Sequence, residues 1–378
     1  MSSIRRDMLE GREIPGCEEC RVMERHGKIS GRQKQLLKVG VVTDEFTKTM
    51  LSSPWLSKWK ESQSSQGHTD QLPQDWQIDL GNFCNSACIF CNPYYSSKLA
   101  TEFKKIGFID DLPPRAWVDD PDLMRSFLQT LESSPNIAYL HFIGGETLIT
   151  PAFRTILKKL VDTGLCSRIT VGFTTNLTTW DQEIVDLLKK FHQINLGMSI
   201  ECFHPLNDYV RFGSQIGTVQ KLAKDWIEVA RQHDWLIQIR ITPTLLSIWH
   251  LDTVYQFAIE QGIAVESCNF LNEPAFLRPS VLPAVWRQRV QEKLERWIRS
   301  QSTQTSISPV VNIRNPNLAN QQVIEDAASY VSYLQEQPDE SDRLPDLIKY
   351  LHVLEHNRKN SILDYLPEYE ELFRSSGY

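Results

Sequence analysis

From about residue 75 onward the chain alternates short apolar runs with longer amphipathic stretches. Residues 76–80, 139–143, 169–173, 194–200, 236–241 and 264–269 have the length and content of buried strands. Between them, 152–163, 181–191, 219–233 and 251–261 carry apolar residues at helical spacing. In the first of these helices Phe153, Ile156, Leu157, Leu160 and Val161 share one face. Gly164 and Gly262 follow two of the helices as stop signals. Strands that alternate with crossover helices pair in parallel. Six such units are fewer than the eight that close a full barrel. The pattern predicts an α/β fold, an open and TIM-like partial (β/α)6 barrel.

Outside that region the pattern changes. Residues 1–50 hold charges and few apolar repeats, and residues 61–75, rich in Ser, Gln and Gly, read as an exposed loop. From Ala284 the strand pattern stops, and helical stretches at 284–299 and 344–354 follow, with a polar segment at 300–308 between them. The expected organisation is an N-terminal attachment over 1–60, the barrel over 75–270 and a helical region over 271–378.

Composition narrows the class. Of 378 residues, 41% are hydrophobic and 23% charged, the range of a folded globular protein. The net charge of −7 argues against a bulk nucleic-acid binder. No apolar run reaches the 18 residues a membrane span needs, and Met1-Ser2-Ser3-Ile4-Arg5-Arg6 lacks a secretory apolar stretch. A cytoplasmic location is the expectation. The eight cysteines stand at 17, 20, 84, 88, 91, 166, 202 and 268. In a reducing compartment such clustering reads as metal binding or catalysis.

Cys84, Cys88 and Cys91 form a C-x3-C-x2-C triad directly after the first predicted strand. In a parallel α/β fold, loops beyond the strand C-termini build the site. Thiolates are the usual ligands of iron–sulfur clusters, and three of them on a four-iron cluster leave one iron open. The alternatives are a zinc site or a chance cluster. Zinc asks for four ligands at a closed structural site, and neither His nor a fourth Cys falls in this loop. Chance is a poor account of three cysteines in eight residues.

Over residues 75–269 these features resemble the radical S-adenosylmethionine (SAM) superfamily. The resemblance implies that the triad holds a [4Fe–4S] cluster and that Phe90, just before the third cysteine, packs near adenine. Phe142-Ile143-Gly144-Gly145-Glu146 resembles the motif that meets the SAM amino group, and glycines there suit close approach of backbone to ligand. Thr174-Thr175-Asn176 ends the third strand, with Asn176 as a further cofactor contact. Ser199 and Glu201 match the ribose-contacting position, and Arg211 the arginine that pairs with the SAM carboxylate. Each polar residue alone is as readily a cap or surface ion pair; the ordered set outweighs that reading. The implied chemistry is reductive cleavage of SAM to a 5′-deoxyadenosyl radical, which takes a hydrogen atom from the substrate. An external electron donor is implied with it.

Within the superfamily the chain most resembles proteins with SPASM or twitch-type auxiliary modules. The N-terminal Arg5 to Gly11 segment, Cys17-Glu18-Glu19-Cys20, Glu24, Gly27 and Ser30-Gly31-Arg32 look like the tail of such a module, without the cysteines expected upstream. Cys17 and Cys20 are half of a second cluster site, a zinc site, or a relic. Many such proteins mature ribosomally made peptides. Backbone splicing that excises a tyrosine-derived tyramine fragment and leaves an α-keto-β-amino acid is placed first. Epimerisation, C–C or thioether crosslinking, a small-metabolite substrate and a non-catalytic iron–sulfur or zinc protein are the alternatives. Cys202, at a strand end, is a candidate hydrogen-atom donor or a packed small hydrophobe; the second reading is favoured for Cys268, and Cys166 reads as structural. The Pro-rich stretch 272–283 reads as a linker, or as a cover over the barrel mouth, and Tyr330, Tyr333 and Trp297 as packing. With no winged-helix pattern in the chain, a small leader-peptide-binding partner is expected beside the precursor peptide.

Overall fold

The computed structural model describes residues 2–10, 12, 14–25, 30, 55–68, 73–134, 136–267, 270–301 and 316–378. Gly27, Gly31, Arg32, Cys268, Asn269 and residues 302–308 lie outside the described residues. Contacts divide the chain into two units, Met1–Leu72 and Pro73–Tyr378. Among the described residues no helix is long and apolar enough to cross a membrane.

The first unit contributes helices α1 (Ser2–Leu9), α2 (Glu18–Arg25) and α3 (Trp55–Ser64). Gly16, at φ +90°, turns the chain into α2, so Cys17 precedes that helix and Cys20 lies in its first turn. Helix α3 runs through the start of the expected 61–75 loop. Ser and Gln are tolerated in a helix, and the break comes only at Gln66 and Gly67, with φ +52° and +81°. There the Gly67 N–H donates to the Ser62 carbonyl at 2.7 Å and ends the helix.

The second unit is built on a six-stranded parallel sheet of β1 (Asp75–Asp79), β3 (Tyr139–Ile143), β4 (Thr170–Thr175), β5 (Gln193–Ser199), β7 (Leu236–Arg240) and β8 (Ala264–Glu266), paired in that order. This is the α/β partial barrel that the alternation predicts. Its crossover helices include α4 (Ser97–Ile106), α5 (Pro121–Ser133), α6 (Pro151–Asp162), α7 (Gln182–Leu188), α8 (Leu206–Val210), α9 (Ile216–Gln232) and α10 (Leu251–Gln261). Register explains the core. Ile78, Phe142, Phe173, Leu196 and Ile237 stand side by side across five strands and are all buried. Against that row pack Phe153 of α6, 5.2 Å from the Phe142 ring, and Trp226 of α9, 6.1 Å from Phe173. The opposite face carries Gln77, His141, Gly172 and Asn195 in the neighbouring row.

Helices α11 (Ala284–Gln301), α12 (Pro316–Gln335), α13 (Leu344–Arg358) and α14 (Glu370–Ser375) complete this unit. An edge strand exposes unpaired backbone groups. At β8 the Gln322 side chain of α12 meets both groups of Val265, accepting from its N–H at 3.1 Å and donating to its carbonyl at 2.7 Å. The Pro-rich stretch departs from the linker reading: Leu277, Val281 and Leu282 are fully buried, and Leu245 N–H donates to the Leu277 carbonyl. Trp297 stacks on Tyr255 and Tyr333 on Phe270, as packing residues do.

Candidate functional site

The loop carrying the three cysteines is too short to hold itself, and its order comes from partners on every side. A two-residue strand β2 (Ala87–Cys88) pairs antiparallel with β6 (Arg211–Phe212), so Cys88 stands opposite Arg211. Ser96 caps α4 through the Leu99 N–H and donates its hydroxyl to the Ser86 carbonyl at 2.6 Å. The Ser97 hydroxyl accepts from the Cys84 N–H at 3.2 Å. From β4, the Asn176 amide donates to Asn85 Oδ1 at 2.9 Å and to the Ser86 hydroxyl at 3.1 Å.

The ends of β1 and β3 meet the same loop through glycine. Gly144 has φ +137°, and a side chain at Gly145 would lie 2.2 Å from the Phe83 carbonyl. Gly145 and Glu146 N–H groups donate to the Gly81 and Phe83 carbonyls at 2.7 and 2.9 Å. The buried Glu146 carboxylate turns back onto β4. It accepts from the Thr175 hydroxyl at 2.8 Å, the Asn176 N–H at 2.6 Å and the Leu148 N–H at 3.2 Å. Burial still outweighs those bonds and pushes its carboxyl up to about 6.

Cys84, Cys88, Phe90, Cys91, Gly144, Gly145, Glu146, Asn176, Ser199 and Arg211 line one pocket with about 510 Å³ of unfilled space, counted to its open mouth. Ser86, Tyr95, Ser96 and Thr174 share that wall. The structure thus brings together most of the sequence-selected residues. Of the residues selected from the barrel, two do not line the pocket. Glu201 is fully buried off the pocket wall, where Oε1 accepts from Arg211 Nε at 3.1 Å and Nη2 at 2.5 Å. Its Oε2 accepts from the Thr242 N–H at 2.9 Å. Cys202 is fully buried in the apolar core, its thiol pushed well up by burial and then by the Glu201 charge. Cys166 is buried as well.

Arg211 links the buried pair to the pocket. Its Nη1 lies 3.9 Å from Cys88 Sγ, and its guanidinium sits 5.3 Å from the Phe90 ring centre. Burial raises all three thiols, Cys84 to about 11 and Cys91 to about 12; Cys88 adds to the effect on those two, while at Cys88 itself the Arg211 charge opposes it. Three crowded, desolvated thiols are a poor arrangement as free acids and a good one for metal, which takes them as thiolates. Among the described residues no three His, Cys, Asp or Glu side chains converge to hold a single metal ion. A cubane takes each thiolate at a different iron, which three thiols on one pocket wall suit.

Ser86, Tyr95 and Ser96 were not selected from the sequence. Ser96 had a readable signal, a serine just before an apolar helical run. Tyr95 and Ser86 had none beyond their nearness to the triad.

Three thiols on one pocket wall stand beyond the first strand of an open parallel sheet. Residues 78–243 match the domain model of the Radical SAM superfamily. Such a domain implies a [4Fe–4S] cluster and SAM, and the pocket's residues fit both. No curated protein matches the sequence. Among solved structures, Streptococcus suis SuiB bound to S-adenosylmethionine is 17% identical, with 72% of this chain aligned to 57% of SuiB at a TM-score of 0.41. SuiB bound to precursor peptide SuiA is 16% identical over 71% of this chain and 59% of its own, at 0.42. Native anSMEcpe with bound AdoMet is 16% identical over 62% and 63%, at 0.43. The chain therefore spans less than two thirds of the length of these proteins.

Proposed function

We propose that the protein is a radical SAM enzyme that modifies a ribosomally made peptide. The observation that carries the cofactor part is the set of three thiols on one pocket wall, facing Gly144, Gly145 and Glu146, with Arg211 beside Cys88. Cys84, Cys88 and Cys91 would hold the [4Fe–4S] cluster, and the rest of the wall SAM. Bound together, these groups supply one chemistry, the one-electron cleavage of SAM to methionine and a 5′-deoxyadenosyl radical for hydrogen-atom abstraction.

The chain's own residues position and enclose. Arg211, fixed at Nε and Nη2 by Glu201, keeps Nη1 on the pocket side to meet a carboxylate. Phe90 offers an apolar wall for an aromatic base. Glu146 spends its lone pairs on the β4 end, which sets Asn176 toward the cluster loop. Ser199 closes the far wall.

The peptide substrate rests on the sequence resemblance to SPASM and twitch-type maturases. Phe83 and Tyr94, exposed and next in sequence to the pocket-lining Cys84 and Tyr95, offer aromatic surface suited to a peptide. Splicing with excision of a tyramine fragment is the first outcome under this reading, with an external electron donor and a separate leader-binding protein as partners. Cys17 and Cys20 remain candidates for a second metal site.

The test is anaerobic reconstitution of the full chain with iron and sulfide, followed by SAM and dithionite. Formation of 5′-deoxyadenosine and methionine supports the reading; their absence from cluster-loaded protein refutes it. Co-expression with a short precursor from a neighbouring reading frame tests the peptide. Loss of a tyramine-sized mass supports splicing, and an unmodified peptide counts against it.

A further inference from the structure

The backbone carbonyls from Cys84 to Ile89 are hydrogen-bonded one after another, and two of their donors come from the far end of the chain. Tyr350 of α13 donates its hydroxyl to the Ile89 carbonyl at 2.8 Å, from 261 positions away. Arg358, the last residue of α13, donates Nη2 to the Ala87 carbonyl at 2.9 Å, from 271 positions away.

Neither contact is incidental. The Arg358 side chain is only 2% exposed, and it also bonds both Glu102 oxygens, Nε to Oε1 at 2.9 Å and Nη2 to Oε2 at 2.7 Å. Asn357 adds a third donor to Glu102 at 2.8 Å. The Arg358 guanidinium lies 4.4 Å from the centre of the Phe212 ring, and Phe212 is the ladder partner of Ala87. One buried cation thus touches both strands of the small ladder and the helix that follows the loop. Tyr350 is fixed in turn by aromatic neighbours, Phe276 at 5.0 Å and Phe108 at 6.0 Å. Glu355, between the two on α13, accepts from the Tyr209 hydroxyl at 2.8 Å, two residues before Arg211. The helix therefore grips the cysteine loop and the segment that delivers Arg211.

We propose that α13 is the clamp of the cluster loop, with Tyr350 and Arg358 as positioning residues that hold residues 84–91 for cluster binding and set the cluster's reduction potential. The inference rests on the cluster reading of the pocket. A buried cation beside Cys88 is poorly screened and favours the more negative, reduced cluster. Hydrogen bonds to the loop carbonyls fix where the thiolates point. Partners of this outer kind commonly change metal affinity by about 10- to 100-fold when removed.

The experiment uses the full chain as Tyr350→Phe, Arg358→Met and Arg358→Lys, with Lys349→Ala on the exposed side of α13 as the control. On the metal-free proteins, hydrogen exchange is followed in peptides covering 84–91. On the reconstituted proteins, iron release to a chelator and the midpoint potential by EPR titration are followed. The clamp predicts faster exchange of 84–91 in Tyr350→Phe and Arg358→Met. It predicts iron release faster by about tenfold or more in Arg358→Met. That variant's potential moves to more negative values, and Arg358→Lys returns it toward wild type. Unchanged exchange, release and potential in folded variants overturn the proposal. If Arg358→Met does not fold, Tyr350→Phe, which keeps its ring, decides by exchange and iron release. If wild type takes up no cluster, the cofactor reading falls by itself. The clamp is then judged by exchange in the metal-free chains, and equal protection there overturns it.

Discussion

Across the sheet, Ile78, Phe142, Phe173, Leu196 and Ile237 form a row whose neighbours are other apolar side chains. At the ends of the same strands Glu146, Thr175, Asn176 and Ser199, with Arg211 from the small ladder, stand in a polar shell where most have named hydrogen-bond partners. The first region asks for volume and the second for particular atoms in particular places. A packed face accepts another hydrophobe of similar size at small cost. A buried polar shell does not, because removing one group leaves its partner desolvated and unpaired.

The largest break in this comparison is Cys84, Cys88 and Cys91 replaced together by Ala. Cluster iron is expected to fall to background and SAM cleavage to vanish, while circular dichroism still shows the fold. Iron remaining near the wild-type level would point to a second site, with Cys17 and Cys20 the first place to look.

Next comes the buried ion pair. Arg211→Met leaves Glu201, which is fully buried, without its cation and is expected to cost about 3–5 kcal/mol in denaturant unfolding. Arg211→Met with Glu201→Leu is expected to recover most of that stability and none of the SAM binding, which separates Arg211's structural part from its ligand part.

A smaller effect tests a buried titratable group outside both regions. His250 stacks on His204 with ring centres 3.9 Å apart, and burial, then His204, lowers it to about 4. Its neutral form is the one the fold accepts. Its contribution is therefore full above the ordinary histidine range and lost as pH falls from about 6.5 toward 4. His250→Phe should be less acid-sensitive than wild type by about 1–2 kcal/mol at pH 5, read from urea midpoints at pH 5 and pH 7. The smallest is Phe153→Leu on the apolar face, expected to cost less than about 1.5 kcal/mol and to leave SAM cleavage intact.

How far the sequence discloses this molecule follows the same division. The six strands of the sheet are legible because apolar runs and crossover helices repeat, with ends displaced by up to three residues: the pattern gives 169–173 where β4 runs Thr170–Thr175, and 264–269 where β8 is Ala264–Glu266. The ladder of β2 and β6 is not, since two-residue strands carry no period. Helix α12 escaped as well; its apolar residues are interleaved with Asn and Gln, and its task of covering β8 is visible only in three dimensions. The motifs around the triad stood out because their residue types and spacing are unusual. The pairing of Glu201 with Arg211 and the reach of Tyr350 and Arg358 to the loop left no local trace, because long-range contacts do not alter local pattern.

The central claim, a cluster on the triad with SAM on its open iron, is tested most directly by EPR of the reconstituted, dithionite-reduced full chain with and without SAM. The account predicts a reduced-cluster signal that changes shape when SAM is added and is missing from the triple Cys→Ala variant. A signal indifferent to SAM, or a SAM-sensitive signal that survives loss of all three cysteines, would contradict it.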